Sequence, residues 1–292
     1  MYSNSAELLA ASRERQVPLW QVVLENEQHL TGMEEEQVFQ LLDQRYAVME
    51  AAAAKALEQP CHTAGSLIEG ITRDQYVYAQ AGKTLCGPLI NRIMARALSC
   101  SEVNASMGRI CAAPTAGSCG IVPAVLISVS EALGCTRRQT LEGLMTASGI
   151  GAVITKHATV SGAEGGCQAE CGTAAAMAAA AAVQLAGGTP DMSIHAAALA
   201  LMNVMGLACD PVAGLVQVPC AQRNASQAVN ALLSADLAMG GMVSIIPLDE
   251  MIDAMARVGR MLPRQLRETA MGGIAATPSG KAISNKIFGG SM

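Results

Sequence analysis

Thr173-Ala-Ala-Ala-Met-Ala-Ala-Ala-Ala-Ala-Val-Gln-Leu-Ala-Gly-Gly-Thr-Pro190 is the stretch that decides the fold. Alanine loses no side-chain entropy in a helix, and methionine and leucine lose little, so this run favours helix over strand. About four turns of mostly alanine are too short and too weakly apolar to span a bilayer. The punctuation is that of paired helices: Gly187-Gly188 stops the first, Thr189 caps the second and Pro190 opens it. Met192 to Cys209 continues in the same manner, interrupted by His195 and Asn203. Both segments are expected to be buried helices whose small side chains let neighbouring axes approach closely.

Outward from this run the composition keeps the same bias. Of 292 residues, 51% are hydrophobic, 15% charged and only 2% aromatic. Large sheets draw on aromatic and β-branched residues, so a core of Ala, Leu, Val and Met points to an all-α, multi-helix domain. Val38, Leu41, Leu42, Val48, Met49 and Ala52 recur at three and four, which predicts an amphipathic helix from Met33 to Glu58. Glu34, Glu35 and Glu36 suit its positive end, and Pro60 closes it. Residues 1–60 thus form a helical N-terminal layer. A less regular segment from Cys61 to about Asp74 is expected to be a loop over a site. Further helices are expected over Gly87–Ser101, from the Cys111–Pro123 turn through Leu133, and over 139–155, 172–186, 191–207, 224–239 and 248–260. Residues 61–271 make the central region, and a polar, Gly-rich tail over 272–292 is expected to cross the surface of a single domain.

The formal net charge of −5 and the lack of a basic patch argue against nucleic acid as a partner. Arg137-Arg138, the one adjacent basic pair, fits a solvated helix turn. Ten cysteines would be hazardous in an oxidising compartment, and Met1-Tyr-Ser-Asn-Ser-Ala-Glu7 lacks the basic-then-apolar pattern of a secretion signal. The expectation is a cytoplasmic protein with no membrane partner, whose cysteines bind metal or are buried.

Three cysteines stand where Gly or Pro interrupts helical sequence: Cys167 in Gly165-Gly-Cys-Gln-Ala-Glu-Cys171, Cys209 in Cys209-Asp-Pro-Val-Ala-Gly214, and Cys220 in Val218-Pro-Cys-Ala-Gln-Arg-Asn224. Thiolates at chain breaks can turn onto one centre. Three of them, with no obvious fourth, would hold an iron-sulfur cube and leave one iron open, and an open iron is a Lewis acid able to pull a hydroxyl off a small molecule. Gly165 and Gly166 are expected to leave amides facing whatever Cys167 binds, backed by the positive end of a helix from near Thr173. The plainer alternative is a helix-turn-helix with a buried cysteine. Cys171 either packs or serves as a reserve ligand, and its spacing from Cys167 is by itself a weak zinc signal. Cys61, Cys86, Cys100, Cys111, Cys119 and Cys135 are assigned to core or incidental roles. Arg223 is either a bidentate grip for a substrate carboxylate or an ordinary helix-start residue. Thr115 and Ser118 are hydroxyl donors for a carboxylate or amino group, or else helix caps. His62, His157 and Lys156 are the candidates for a general base, none with a partner visible in the sequence.

These motifs, taken in order, resemble the alpha chain of the iron-sulfur-dependent L-serine dehydratase (L-serine ammonia-lyase) family. The resemblance rests on Glu102-Val-Asn-Ala-Ser-Met-Gly108, Ala113-Pro-Thr-Ala-Gly-Ser118, Ser161-Gly-Ala163, Gly165 to Glu170 and Cys209-Asp-Pro-Val-Ala-Gly-Leu-Val216. Val218-Pro-Cys220, Arg223-Asn-Ala225, Leu266-Arg-Glu-Thr269, Ala276-Thr-Pro278 and Lys286-Ile-Phe-Gly289 complete it. It implies an all-α domain with an oxygen-sensitive 4Fe-4S cluster on Cys167, Cys209 and Cys220. It also implies deamination of L-serine to pyruvate and ammonia without pyridoxal phosphate. The Ser-Ser-Ser-His-Thr motif of single-chain members is absent, so the resemblance implies a hetero-oligomer in which a separate beta subunit supplies the base. Asn104, Thr115, Ser118, Gly165, Gly166 and Arg223 are the residues expected to orient the substrate. Where relatives tend to show Thr-Gly-x-Thr-Gly-Gly-Asp, this chain has Thr63-Ala-Gly-Ser-Leu-Ile-Glu69, and the loop is expected to hold substrate somewhat differently. The competing expectations are a cluster-dependent lyase that releases sulfide from L-cysteine, and a non-catalytic metal or redox-sensing protein.

Overall fold

A computed structural model of the chain describes residues 1–289. Among these residues there are thirteen α-helices and no β-strand, as an all-α chain requires; an isolated bridge joins Cys209 to Arg267. The N-terminal layer is α1 (Ser5–Arg15), α2 (Leu19–Thr31) and α3 (Glu35–Glu58). Glu34 and Gln37 cap α3 reciprocally, satisfying amides that would otherwise lack partners. A loop leads to α4 (Ile71–Gln80) and then α5 (Gly87–Ala105), whose first turn carries Pro88. Next come α6 (Ile121–Leu133) and α7 (Arg137–His157), the first ended by Gly134 at φ 67° and the second capped by Thr136 and Gln139.

The short α8 (Gly162–Gly165) precedes α9 (Thr173–Leu185), the alanine helix, which is buried without interruption from Thr173 to Val183. It packs against α6, α7, α10 (Pro190–Met202) and α11 (Cys220–Met239). The last helices are α12 (Leu248–Met261) and α13 (Pro278–Phe288). Thr189 accepts from Met192 N at the start of α10, the cap its sequence predicts. Helices come so close around this core that a Cβ at Gly120 would stand 2.4 Å from the carbonyl oxygen of Ala97, on α5. The window Ala116–Leu133 is apolar and long enough to resemble a membrane span, yet 72% of it is buried within the protein.

The structure departs from the sequence reading at several points. Helix runs from Cys167 rather than from 172, because Gln168–Gly172 forms a π-helical turn continuous with α9. Gln168 holds this turn: its Nε2 donates to Gly165 O and Met255 O, and its Oε1 accepts from Gly206 N. α10 ends at Met202 instead of 207, and α11 begins at Cys220 instead of 224. Within the tail, Pro278–Phe288 is a helix capped by Thr277, with Ile287 pressed against Gly65, and positions 290–292 lie outside the described residues. Arg137 and Arg138 bridge α7 to α3: the first pairs with Asp43 and Glu50, the second with Glu35 while its guanidinium lies 3.4 Å from the Phe39 ring centroid.

Candidate functional site

The π-helical turn, the segment before α11 and the start of α11 meet beside α8. Gly166, at φ 77°, turns the chain out of α8 so that Cys167 points inward; a Cβ there would stand 2.7 Å from Leu207 O. Cys209 is fixed by its backbone, its N–H donating to Leu266 O at 2.9 Å and its carbonyl accepting from Glu268 N at 2.6 Å. Cys220 is the first residue of α11. All three cysteines are buried as free thiols. The sulfurs of Cys167 and Cys209 and a carboxylate oxygen of Glu170 lie within 4.8 Å of one another; Cys220 falls outside that set. Gly162 makes room for them, since a Cβ there would meet Glu170 Oε2 at 2.6 Å and Cys209 Sγ at 3.0 Å.

One sulfur of this group carries the charge. Hydrogen bonds from the thiols of Cys171 and Cys209, helped by Arg223, hold Cys167 far below the usual thiol range and make it the thiolate. The same bonds push Cys171 and Cys209 up, with burial adding to the effect. Burial, then the Cys167 charge, pushes Cys220 up to about 12. Glu170 is pushed up to about 7, first by burial and then by the Cys167 thiolate, against a hydrogen bond from Thr115 Oγ1 at 2.9 Å. Burial opposes the Arg223 charge, but Cys167 and Asp210 more than offset it.

Buried, convergent thiols with one already ionised are a soft donor set suited to iron-sulfur or zinc. The Cys167 and Cys209 sulfurs and the Glu170 carboxylate form a group that could hold a metal, with Cys220 at the mouth of α11 outside it. Cys171 is buried one turn beyond Cys167.

The other candidate residues lie in separate places. Thr115 and Ser118 share a capping box, their hydroxyls 3.2 Å apart, and Asn104 Nδ2 donates to Ala116 O at 3.1 Å, so the end of α5 is tied to the loop whose Thr115 reaches Glu170. Arg223 donates to Ala208 O at 2.7 Å and Asp210 Oδ1 at 2.8 Å, which ties α11 to the Cys209 segment. Asp210 in turn accepts from Ile274 N. The Gly165 and Gly166 amides do not face the thiols as expected: they donate to Ser161 O and Gly162 O, because closing the turn of α8 uses them. Lys156 Nζ donates to Tyr2 O and His157 Nε2 meets Ser3 O, both at the N-terminal segment. His62 pairs with Glu69 and its side chain is 85% exposed. Glu170 is the residue that sequence reasoning missed. It lies three positions after Cys167, hence on the same helical face, and that spacing was the available signal.

The comparisons with known proteins agree with one another. The family model described as "Serine dehydratase alpha chain" matches residues 14–275. A protein of Bacillus subtilis (strain 168) named "Probable L-serine dehydratase, alpha chain" is 48% identical over 292 residues, spanning 100% of this chain and 97% of its own length. The L-serine dehydratase alpha chain of Peptoniphilus asaccharolyticus is 47% identical over 283 residues, 97% of each chain. An L-serine dehydratase of Haemophilus influenzae is 35% identical over 284 residues, 94% of this chain but only 61% of the longer relative. A family model that covers most of the chain, together with alpha chains 48% and 47% identical along nearly its whole length, makes this chain a member of the serine dehydratase alpha chain family.

Proposed function

We propose that the chain is the alpha subunit of a cytoplasmic L-serine ammonia-lyase that works without pyridoxal phosphate, together with a separate beta subunit. The observation that carries this reading is the buried meeting of Cys167, Cys209 and Glu170 in a chain whose full-length relatives are named L-serine dehydratases. Cys167, Cys209 and Cys220 would hold a 4Fe-4S cluster. When bound, that cluster supplies a Lewis-acidic iron at which the serine hydroxyl becomes a better leaving group.

The chain's own residues supply placement and dryness. Gly162, lacking a Cβ, lets Cys209 and Glu170 approach the backbone of α8 closely, and the burial of the thiols excludes water that would compete with substrate. Arg223 and Asp210 fix the Cys209 segment against α11. Thr115 orients the Glu170 carboxylate, placing a hydrogen-bonding group suited to the amino group of the amino acid. The beta subunit provides the base that takes the α-hydrogen. Loss of that proton and of hydroxide leaves aminoacrylate, whose imine tautomer is hydrolysed to pyruvate and ammonia.

Anaerobically purified alpha and beta subunits should together release pyruvate from L-serine. Cys209→Ala should retain the far-ultraviolet circular-dichroism spectrum while losing bound iron and turnover by at least about a hundredfold. Turnover that persists after complete removal of iron would overturn the reading.

A further inference from the structure

Glu102 is fully buried in the last turn of α5. A carboxylate taken from water is costly unless hydrogen bonds replace its hydration. Here the partners among the described residues are three backbone amides: Cys61 N at 2.7 Å and Gly70 N at 3.1 Å on Oε1, and Thr72 N at 3.4 Å on Oε2. These amides belong to the two ends of the loop between α3 and α4, so a single side chain closes that loop at its neck. The loop is braced from inside as well. Glu69 Oε2 accepts from Ser66 Oγ at 3.0 Å and Thr63 N at 3.4 Å, and meets His62 Nδ1 at 3.0 Å.

Two further contacts carry this bracing to the thiol site. Ala64 O accepts from Gln217 Nε2 at 2.8 Å, and Gln217 lies in the segment between Cys209 and Cys220. The same turn of α5 sends Asn104 to Ala116 O, in the loop whose Thr115 reaches Glu170. At this junction Thr63 Oγ1 and Gln217 Oε1 are buried and have no partner among the described residues. Buried polar atoms are seldom left so, and two of them on one junction mark a place for a polar ligand.

We propose that Glu102 is a positioning residue for the amino-acid substrate: it fixes the 61–72 loop so that the Thr63 hydroxyl and the Gln217 amide oxygen take polar groups of the bound molecule. This rests on the lyase reading above. The test compares wild-type, Glu102→Gln and Gln217→Ala holoenzymes, each with its beta subunit, by L-serine kinetics, iron content and amide hydrogen exchange. Glu102→Gln should speed exchange at Cys61, Gly70 and Thr72 and raise KM about tenfold, with kcat changed less than about threefold and iron unchanged. Gln217→Ala should raise KM alike without loosening those amides. It decides the matter if Glu102→Gln does not fold. An unchanged KM despite faster exchange would overturn the proposal, as would kcat falling in step with lost iron. Should wild-type enzyme fail to turn over L-serine, the lyase reading falls and this proposal with it.

Discussion

Glu170 and Cys167 place two acidic groups in one buried space, and burial decides how they share the charge. Cys167 keeps the negative charge because two thiols and Arg223 bond to it, which leaves Glu170 favouring its protonated form. A carboxyl whose pKa is raised on folding binds its proton more tightly in the folded protein than in the unfolded chain. Its stabilising contribution is complete below the ordinary value of 4.5 and is lost as pH rises through about 7. Glu170→Gln removes that loss. In the metal-free chain, thermal unfolding should show the variant gaining on wild type between about pH 5 and about pH 8, with little further gain above. A difference in Tm that does not vary with pH would mean that Glu170 is already ionised in the folded chain.

Between α8 and α12 the packing leaves no room for a methyl group. A Cβ at Gly259 would stand 2.8 Å from Gly165 Cα, so these two helices touch backbone to backbone just before Cys167. Gly259→Ala should cost about 1–3 kcal/mol in urea unfolding and lower iron uptake, because the strain falls on the turn that aims Cys167. Elements of this kind were only partly legible in the sequence. The alanine run, the Thr189 cap and the three-and-four spacing of α3 are local patterns, and each appears where the residues place it. The π-helical turn is different, since it depends on the buried Gln168 bonding to Met255, 87 positions away. Glu170 escaped notice for the same reason, its partner Thr115 being 55 positions distant. The Gly165 and Gly166 amides were misassigned because a four-residue helix is too short to leave a periodic signal.

Across the whole molecule, small side chains set the spacing, and α9 is the axis around which it is set. Ala179 has no exposed surface and sits midway along a helix with neighbours on every side. Ala179→Leu should cost at least about 1–3 kcal/mol, measured by denaturant unfolding, and more than the same change at an exposed alanine such as Ala51. The backbone supports of Cys209 and Asp210 come from Leu266, Glu268 and Ile274, far along the chain from Cys167. During translation the first of the sulfur-bearing segments therefore leaves the ribosome well before the residues that brace the second have been made. On the proposed function, loading of iron would then follow synthesis of nearly the entire polypeptide, and a premature stop codon ahead of Ile274 would yield a helical product unable to mature.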